Sequence, residues 1–253
     1  MKKTRNLLVL VLVLGLLPSC KSMLNILTPK APPEMVAMIM DKASKIRFSP
    51  AKKLGKSKTA RIPLKAGQWV TTLTVNKDAS GNVMLSTTRV ISVTGSTVVI
   101  ETENYSALDK GERQLARITF ENYPTGGSLS YSQAEYDATI NTIRIVKLVT
   151  KTGDQPPQEV PEQFLMMSQG MTKSVAGAAV RTSEMTQDSC STSSIQASLC
   201  YCFDYTVSVM GITRSGKSAV HSEIPVNGMI RMDSEDMVME TIAFGTSGAV
   251  SQF

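Results

Sequence analysis

The residues of this chain whose types could carry chemistry are four cysteines, one histidine and a glycine-containing octapeptide. Cys190, Cys200 and Cys202 fall within DSCSTSSIQASLCYC, whereas Cys20 stands alone behind an apolar run. With Cys20 set aside an odd number remains, so one bridge and one leftover thiol are expected in an oxidising compartment. The bridge runs from Cys190 to Cys200 or, equally, to Cys202, and closing a loop of about ten residues contributes roughly 3 kcal/mol in the chain-entropy model. Cys200 and Cys202 lie two apart in an expected strand, so they face the same side and do not readily pair with each other. The leftover thiol is expected to be buried. Three cysteines and one distant histidine match no recognised ligand spacing, so no metal site is expected.

Gly211-Ile212-Thr213-Arg214-Ser215-Gly216-Lys217-Ser218 matches the phosphate-loop pattern GxxxxGK[ST]. A phosphate cradle needs a helix directly behind it, so that backbone N–H groups and the helix N-terminus face the anion. The following AVHSEIPVNG contains Pro225 and Gly228 and reads as strand and turn, so TRSGK is expected to be a hairpin turn and nucleotide is excluded. His221 is the single histidine. No cysteine or serine is arranged around it in sequence as a nucleophile, so it is read as a surface or strand residue. Glu101, Glu103, Asp233, Glu235 and Asp236 are scattered or sit in turns, and none stands out as a general acid–base pair. The chain is therefore read as a non-enzyme with no cofactor.

The N-terminal segment carries the clearest signal. Lys2, Lys3 and Arg5 precede an apolar stretch from Leu7 to Leu17, and Leu17-Pro18-Ser19-Cys20 reads as a lipobox cut before Cys20. The apolar stretch is about half of the roughly 20 residues that a bilayer crossing requires. This gives three parts: residues 1–19 as a signal peptide, 20–66 as a tether with a short helix and a basic segment, and 67–253 as a β-rich globular domain. The lipobox resembles that of bacterial lipoproteins, spirochaetal ones in particular, where the motif is relaxed. That resemblance implies a diacylglyceryl thioether on Cys20 and an acyl chain on its nitrogen, hence stable anchoring in membrane lipid at about 0.8 kcal/mol per buried methylene.

The whole chain has 27 basic and 21 acidic residues, and three of the bases lie in the signal peptide. Nine bases and no acid fall between Lys42 and Lys65. Of these, Lys42, Lys45, Arg47, Lys52, Lys53, Lys56 and Lys58 lie nearest the anchor, where each base contributes on the order of 1 kcal/mol against an anionic leaflet. This block is expected to have little regular structure. Nucleic acid is a poor partner for it, since Phe48 is the only interleaved aromatic.

The elements that position these groups are mostly strands. GQWVTTLTV, VMLSTTRVISV, TVVIETENYS and LARITFENYP alternate between turn signals and read as an antiparallel meander. PPEMVAMIMDKASK places Val36, Ile39, Met40 and Ala43 on one helical face. Ser132 with Glu135 fits a capping box, and Phe164, Met167, Met171, Val175 and Ala178 behind Pro161 have helical spacing. The expected class is α+β: a curved antiparallel sheet, or half-barrel, with two or three helices on one face. A hollow between sheet and helices would hold a ligand, with Trp69, Phe164, Met167 and Met171 as its lining; Trp69 would otherwise pack in the core against the second helix.

Gly67-Gln68-Trp69-Val70, Gly95 with Val99-Ile100-Glu101-Thr102, Gly153-Asp154-Gln155-Pro156-Pro157 with Val160-Pro161, and Ile224-Pro225-Val226-Asn227-Gly228 together resemble a group of uncharacterised bacterial lipoproteins. The layout is also similar to the lipoprotein-localisation carriers, whose half-barrel shelters acyl chains. The lipobox resemblance to spirochaetal lipoproteins implies an outer-membrane lipoprotein with a non-catalytic binding or structural domain, exposed at the surface to host matrix or plasma proteins, while the first of the two resemblances just given, carried by turn and strand-start residues, implies a shared fold more than a shared activity. The second implies a periplasm-facing carrier or chaperone for an acyl chain, a lipidated protein or another hydrophobic ligand.

Overall fold

Alternating apolar residues between short turns produce a single ladder in the computed structural model, which describes residues 29–78, 80–129, 138–139, 141–166, 180–209 and 212–253. The expected signal peptide, Cys20, the Ser132 capping box, Met167 and Met171 lie outside the described residues.

One helix, α1 (Pro33–Ile46), precedes the sheet. Pro33 opens it, where a missing N–H costs nothing, and Glu34 lies in the first turn. The strands follow as β1 (Lys52–Lys56), β2 (Trp69–Asn76), β3 (Val83–Thr94), β4 (Thr97–Ser106), β5 (Arg113–Glu121), β6 (Arg144–Thr152) and β7 (Gln158–Glu159). Then come β8 (Val180–Thr182), β9 (Thr186–Ser191), β10 (Ile195–Val209), β11 (Ile212–Val220), β12 (Met229–Ser234) and β13 (Met237–Gly245). They form one 13-stranded sheet in the order β1-β10-β11-β12-β13-β2-β3-β4-β5-β6-β7, with β8 and β9 also pairing with β10. All pairings are antiparallel except that of β1 with β10. The meander read from residue 67 onward is present, and Gly95, at φ +60°, turns β3 into β4 through a two-residue loop.

The sheet rolls. Leu54 of β1 and Ile195 of β10 share one apolar cluster with Ile118 and Phe120 of β5, and Ile145 and Leu148 of β6 pack against it. The Ile62 N–H donates to the Ser222 carbonyl beyond β11, and two residues on the Leu64 N–H donates to the Thr125 carbonyl beyond β5. The sheet therefore curves to bring together ends of strands well separated in the ladder, where flat neighbours are about 4.8 Å apart. β2 is buried at five consecutive positions because both its faces are covered. Val70 points into the inner cluster, while Leu73 meets Ile39 and Ala43 of α1 on the outer face.

The architecture is mainly β, which corrects the expected α+β class with two or three helices. Among the described residues, helix beyond α1 is confined to 138–139, 141–142 and 162–166. The difference lies in segments that lack a β signature. KKLGK and TQDSCS are nevertheless strands, because long-range ladders supply the hydrogen bonds that their composition does not announce. The basic segment is regular only in part, since residues 47–51 and 57–65 are irregular as expected apart from an isolated Ala60–Ser128 bridge. Lys42 and Lys45 belong to α1, and Lys52 to Lys56 pair with Ile195 to Leu199 in the same sheet as the rest of the chain.

Candidate functional site

Residues 212–218 of the phosphate-loop match are strand. β11 runs through them, with Gly216 opposite Tyr205 on one side and Ser234 on the other. The expected turn at TRSGK is corrected accordingly. Its backbone N–H groups are committed to ladders instead of converging on an anion, and residues 222–228 behind it are turns, not helix. A Cβ on Gly216 would lie 2.2 Å from the Asp233 carbonyl oxygen and 2.6 Å from the Tyr205 hydroxyl. The glycine admits close approach of neighbouring strands, not a phosphate.

His221 is completely buried and lies just past the end of β11, which corrects its reading as a surface or strand residue. Its Nδ1 accepts the Glu223 N–H at 3.2 Å, so the ring proton sits on Nε2 and is donated to the Gly55 carbonyl at 3.2 Å. Ser57 Oγ accepts the Ser222 N–H at 3.0 Å, and Ser222 Oγ accepts the Lys58 N–H at 2.9 Å. These bonds pin β1 to the chain leaving β11. Both ring nitrogens are thereby used in structure.

Cys190 and Cys200 form a disulfide, and Cys202 is the free thiol. The alternation of β10 puts Cys200 and Cys202 on one face, and the register Cys200 opposite Asp188 places Cys190 on that face too. The Cys202 sulfur lies 3.6 Å from that of Cys190 and 3.7 Å from that of Cys200. Cys200 is the buried member, and the thiol expected to be buried is half-buried instead. Burial, then the Asp188 carboxylate, push the Cys202 thiol above its ordinary pKa.

The basic residues divide by partner. Lys42 stands 3.7 Å above the Tyr105 ring, Lys45 pairs with Asp41 within α1, and Arg47 bonds Ser193 Oγ at 2.8 Å and lies 3.5 Å from Glu240. Lys52 lies 5.3 Å from the Phe48 ring centroid and 5.0 Å from that of Phe244. Lys53, Lys56 and Lys58 project into solvent.

Of the expected pocket residues, Trp69 is half-buried at the start of β2 with its indole across Gly245, its partner on β13. A Cβ on Gly245 would lie 2.3 Å from the indole Nε1. Phe164 is 48% exposed, while Leu165 beside it is buried. Trp69 sits in the middle of the ladder and Phe164 just beyond β7 at its end, so the two are held by separate elements.

The most developed polar cluster was not singled out by the sequence. Glu101 and Glu103 point to the outer face of β4, where Glu101 is completely buried. Arg117 reaches Glu101 at 2.6 Å, and the Ser251 hydroxyl and Gln252 N–H donate to the same carboxylate at 2.8 Å each. Glu103 accepts from Arg89, from Arg113 Nε at 2.6 Å and from the Tyr105 hydroxyl at 3.0 Å. Burial alone would push the Glu103 carboxyl up, but the Arg89 and Arg113 hydrogen bonds outweigh it and hold the group below its ordinary range. The Arg117 guanidinium lies 4.6 Å from the Phe253 ring, and the Ala249 N–H donates to the Gly67 carbonyl at 2.8 Å. The C-terminal residues are thus strapped across β4 and β5. The readable signal was the row Arg89, Glu101, Arg117, which occupies opposed positions on three neighbouring strands. Directly and through Arg113 and Arg117, these hydrogen-bonded carboxylates hold the C-terminal tail in place.

No family model matches the chain, and no curated protein does. Among solved structures it is similar to one from Bacteroides fragilis NCTC 9343 described as a "putative exported protein with YmcC-like fold". The identity is 10%, the match covers 75% of this chain and 100% of that chain, and the TM-score is 0.36. A superposition that loose carries no weight for the role of this chain.

Proposed function

We propose that the chain is an exported lipoprotein, held in the outer membrane through acylated Cys20, whose rolled β body has a non-catalytic binding or structural role. The observation that carries this reading is the combination of a lipobox ending at Cys20 with a bridged, sheet-rich body behind it. A Cys190–Cys200 disulfide persists where thiols are not kept reduced, as in an exported protein. No helix among the described residues is long and apolar enough to cross a membrane; the anchoring proposed here rests on the lipobox and the acyl chains it would direct to Cys20.

The exposed Lys53, Lys56 and Lys58 support placement of this end near anionic headgroups. Residues 20–32 span at most about 45 Å when fully extended, so α1 and β1 stay near the bilayer. The inner face of the roll is filled by Phe120, Tyr123, Ile195 and Ile230, each no more than 1% exposed. That filling favours a binding or structural body over an acyl-chain carrier, which needs an empty hollow. Host matrix or plasma proteins as partners rest on the resemblance to spirochaetal lipoproteins.

Metabolic labelling with an alkyne palmitate tests the anchor, and protease shaving of intact cells tests exposure. Label in the wild type that is absent from Cys20→Ala, with loss of detergent partitioning, is the expected result. Equal partitioning of the two proteins would overturn the anchor, and full protection from protease would remove host proteins as partners.

A further inference from the structure

We propose that, once the Cys190–Cys200 bridge is reduced, Cys190, Cys200 and Cys202 together bind one thiophilic d10 cation of the zinc(II) or copper(I) class. Three thiolates around such an ion, with metal–sulfur bonds near 2.3 Å, stand about 3.8 Å apart in a tetrahedral site and about 4.0 Å apart in a trigonal one. The Cys202 sulfur already lies 3.6 Å and 3.7 Å from its two neighbours. All three donor atoms fall within 4.8 Å of one another, and no fourth histidine, cysteine or carboxylate joins them among the described residues. Only the edge between Cys190 and Cys200 has to open, which two mutually repelling thiolates achieve by side-chain rotation.

The surroundings suit the chemistry. Cys200 sits in the inner apolar cluster and has no exposed surface, while Cys190 and Cys202 are partly exposed, so the trio has one dry wall and one open side for entry. The positions are fixed by paired strands: the bulge between Ala197 and Cys200 sets the offset of β9 against β10. Soft thiolate ligands select Cu(I) and Zn(II) over hard cations.

The balance is simple. A dithiol reductant delivers two electrons and two protons to the Cys190–Cys200 bond and closes into its own disulfide. The cation then displaces one proton from each of the three thiols. A zinc ion would complete its shell with water, whereas copper(I) needs no fourth ligand. Bridge and metal exclude each other, so the oxidised chain binds neither ion.

The full mature chain, reduced with a dithiol and freed of it without oxygen, is titrated with Zn(II) and separately with Cu(I), each against a chromophoric chelator. Co(II) replaces zinc to report thiolate coordination. One equivalent of at least one ion, an intense sulfur-to-cobalt charge-transfer band, no uptake by the oxidised chain and at least 100-fold weaker binding by Cys202→Ser are expected. Cys202→Ser retains the bridge, so its oxidised form controls for folding. Failure of both ions to bind at one equivalent, or binding unaffected by Cys202→Ser, would overturn the proposal. So would uptake confined to a chain that has lost its sheet signature in circular dichroism, because unfolded thiols need no preformed site.

Discussion

Arg117 of β5 holds the completely buried Glu101 of β4 at 2.6 Å, and the C-terminal Ser251 and Gln252 close over the same carboxylate. Removing one member of a buried pair leaves the other charge without compensation, at a cost of about 3–5 kcal/mol. Arg117 is one-third exposed, and two other donors remain on Glu101, so Arg117→Ala is expected near the lower end of that range. The exposed Lys45–Asp41 pair supplies the contrast, and Lys45→Ala should change stability by no more than about 0.5 kcal/mol. Urea denaturation of both variants measures the difference.

Glu103 gives the fold an acid-sensitive contribution. Its folded pKa lies below the ordinary value of 4.5, since the Arg89 and Arg113 hydrogen bonds outweigh the effect of burial. The contribution is fully present above the unfolded value, declines as pH falls from there, and is gone once pH has passed the folded value. Stability measured from pH 7 to pH 2 should therefore fall below about pH 4.5, and Glu103→Gln should flatten that fall while lowering stability at pH 7. An unchanged acid limb in Glu103→Gln would remove this residue from the account.

Local patterning made β2 to β5 legible, because Val70, Val90, Ile100 and Phe120 alternate with polar residues and glycine turns separate their strands. It made β1 and β9 illegible. Lys52 and Lys53 have no strand preference of their own, and their ladder partners at Ile195 and Gln196 are far away in sequence. The apolar residues read as cover for helices on one face are largely spent on the inner cluster of the roll. The cysteine trio was half legible: the facing of Cys200 and Cys202 follows from their spacing, but their approach to Cys190 depends on the offset between β9 and β10. The tail clamp needed Arg113 and Arg117 to be placed beside residues more than 130 positions later, and no local signal carries that.

Gly216 separates the strand reading of the octapeptide from the nucleotide one. A methyl group there meets the Asp233 backbone carbonyl, which cannot swing aside as a side chain can. Gly216→Ala is expected to cost about 3 kcal/mol, at the upper end for overpacking. Lys217→Ala should leave stability within about 0.5 kcal/mol, as an ordinary surface change does. Thermal melts with and without Mg-ATP check both points: no nucleotide-dependent shift is expected for the wild type.

The exposed lysines of β1 and the residues after it make a further prediction. Charge reversal at Lys53, Lys56 and Lys58 should weaken binding of the unacylated chain to vesicles containing phosphatidylglycerol by at least about tenfold, at roughly 1 kcal/mol per base. Binding to neutral phosphatidylcholine vesicles should be weak for both proteins. Co-sedimentation at 0.1 M salt distinguishes the cases.

Anchoring through Cys20 is tested most directly by intact-mass and tandem mass spectrometry of the N-terminal peptide from membrane-extracted protein. The account predicts a chain that starts at Cys20 and carries diacylglyceryl and amide-linked acyl mass on that residue. A mature chain with an unmodified Cys20, or one that starts anywhere else, would contradict it.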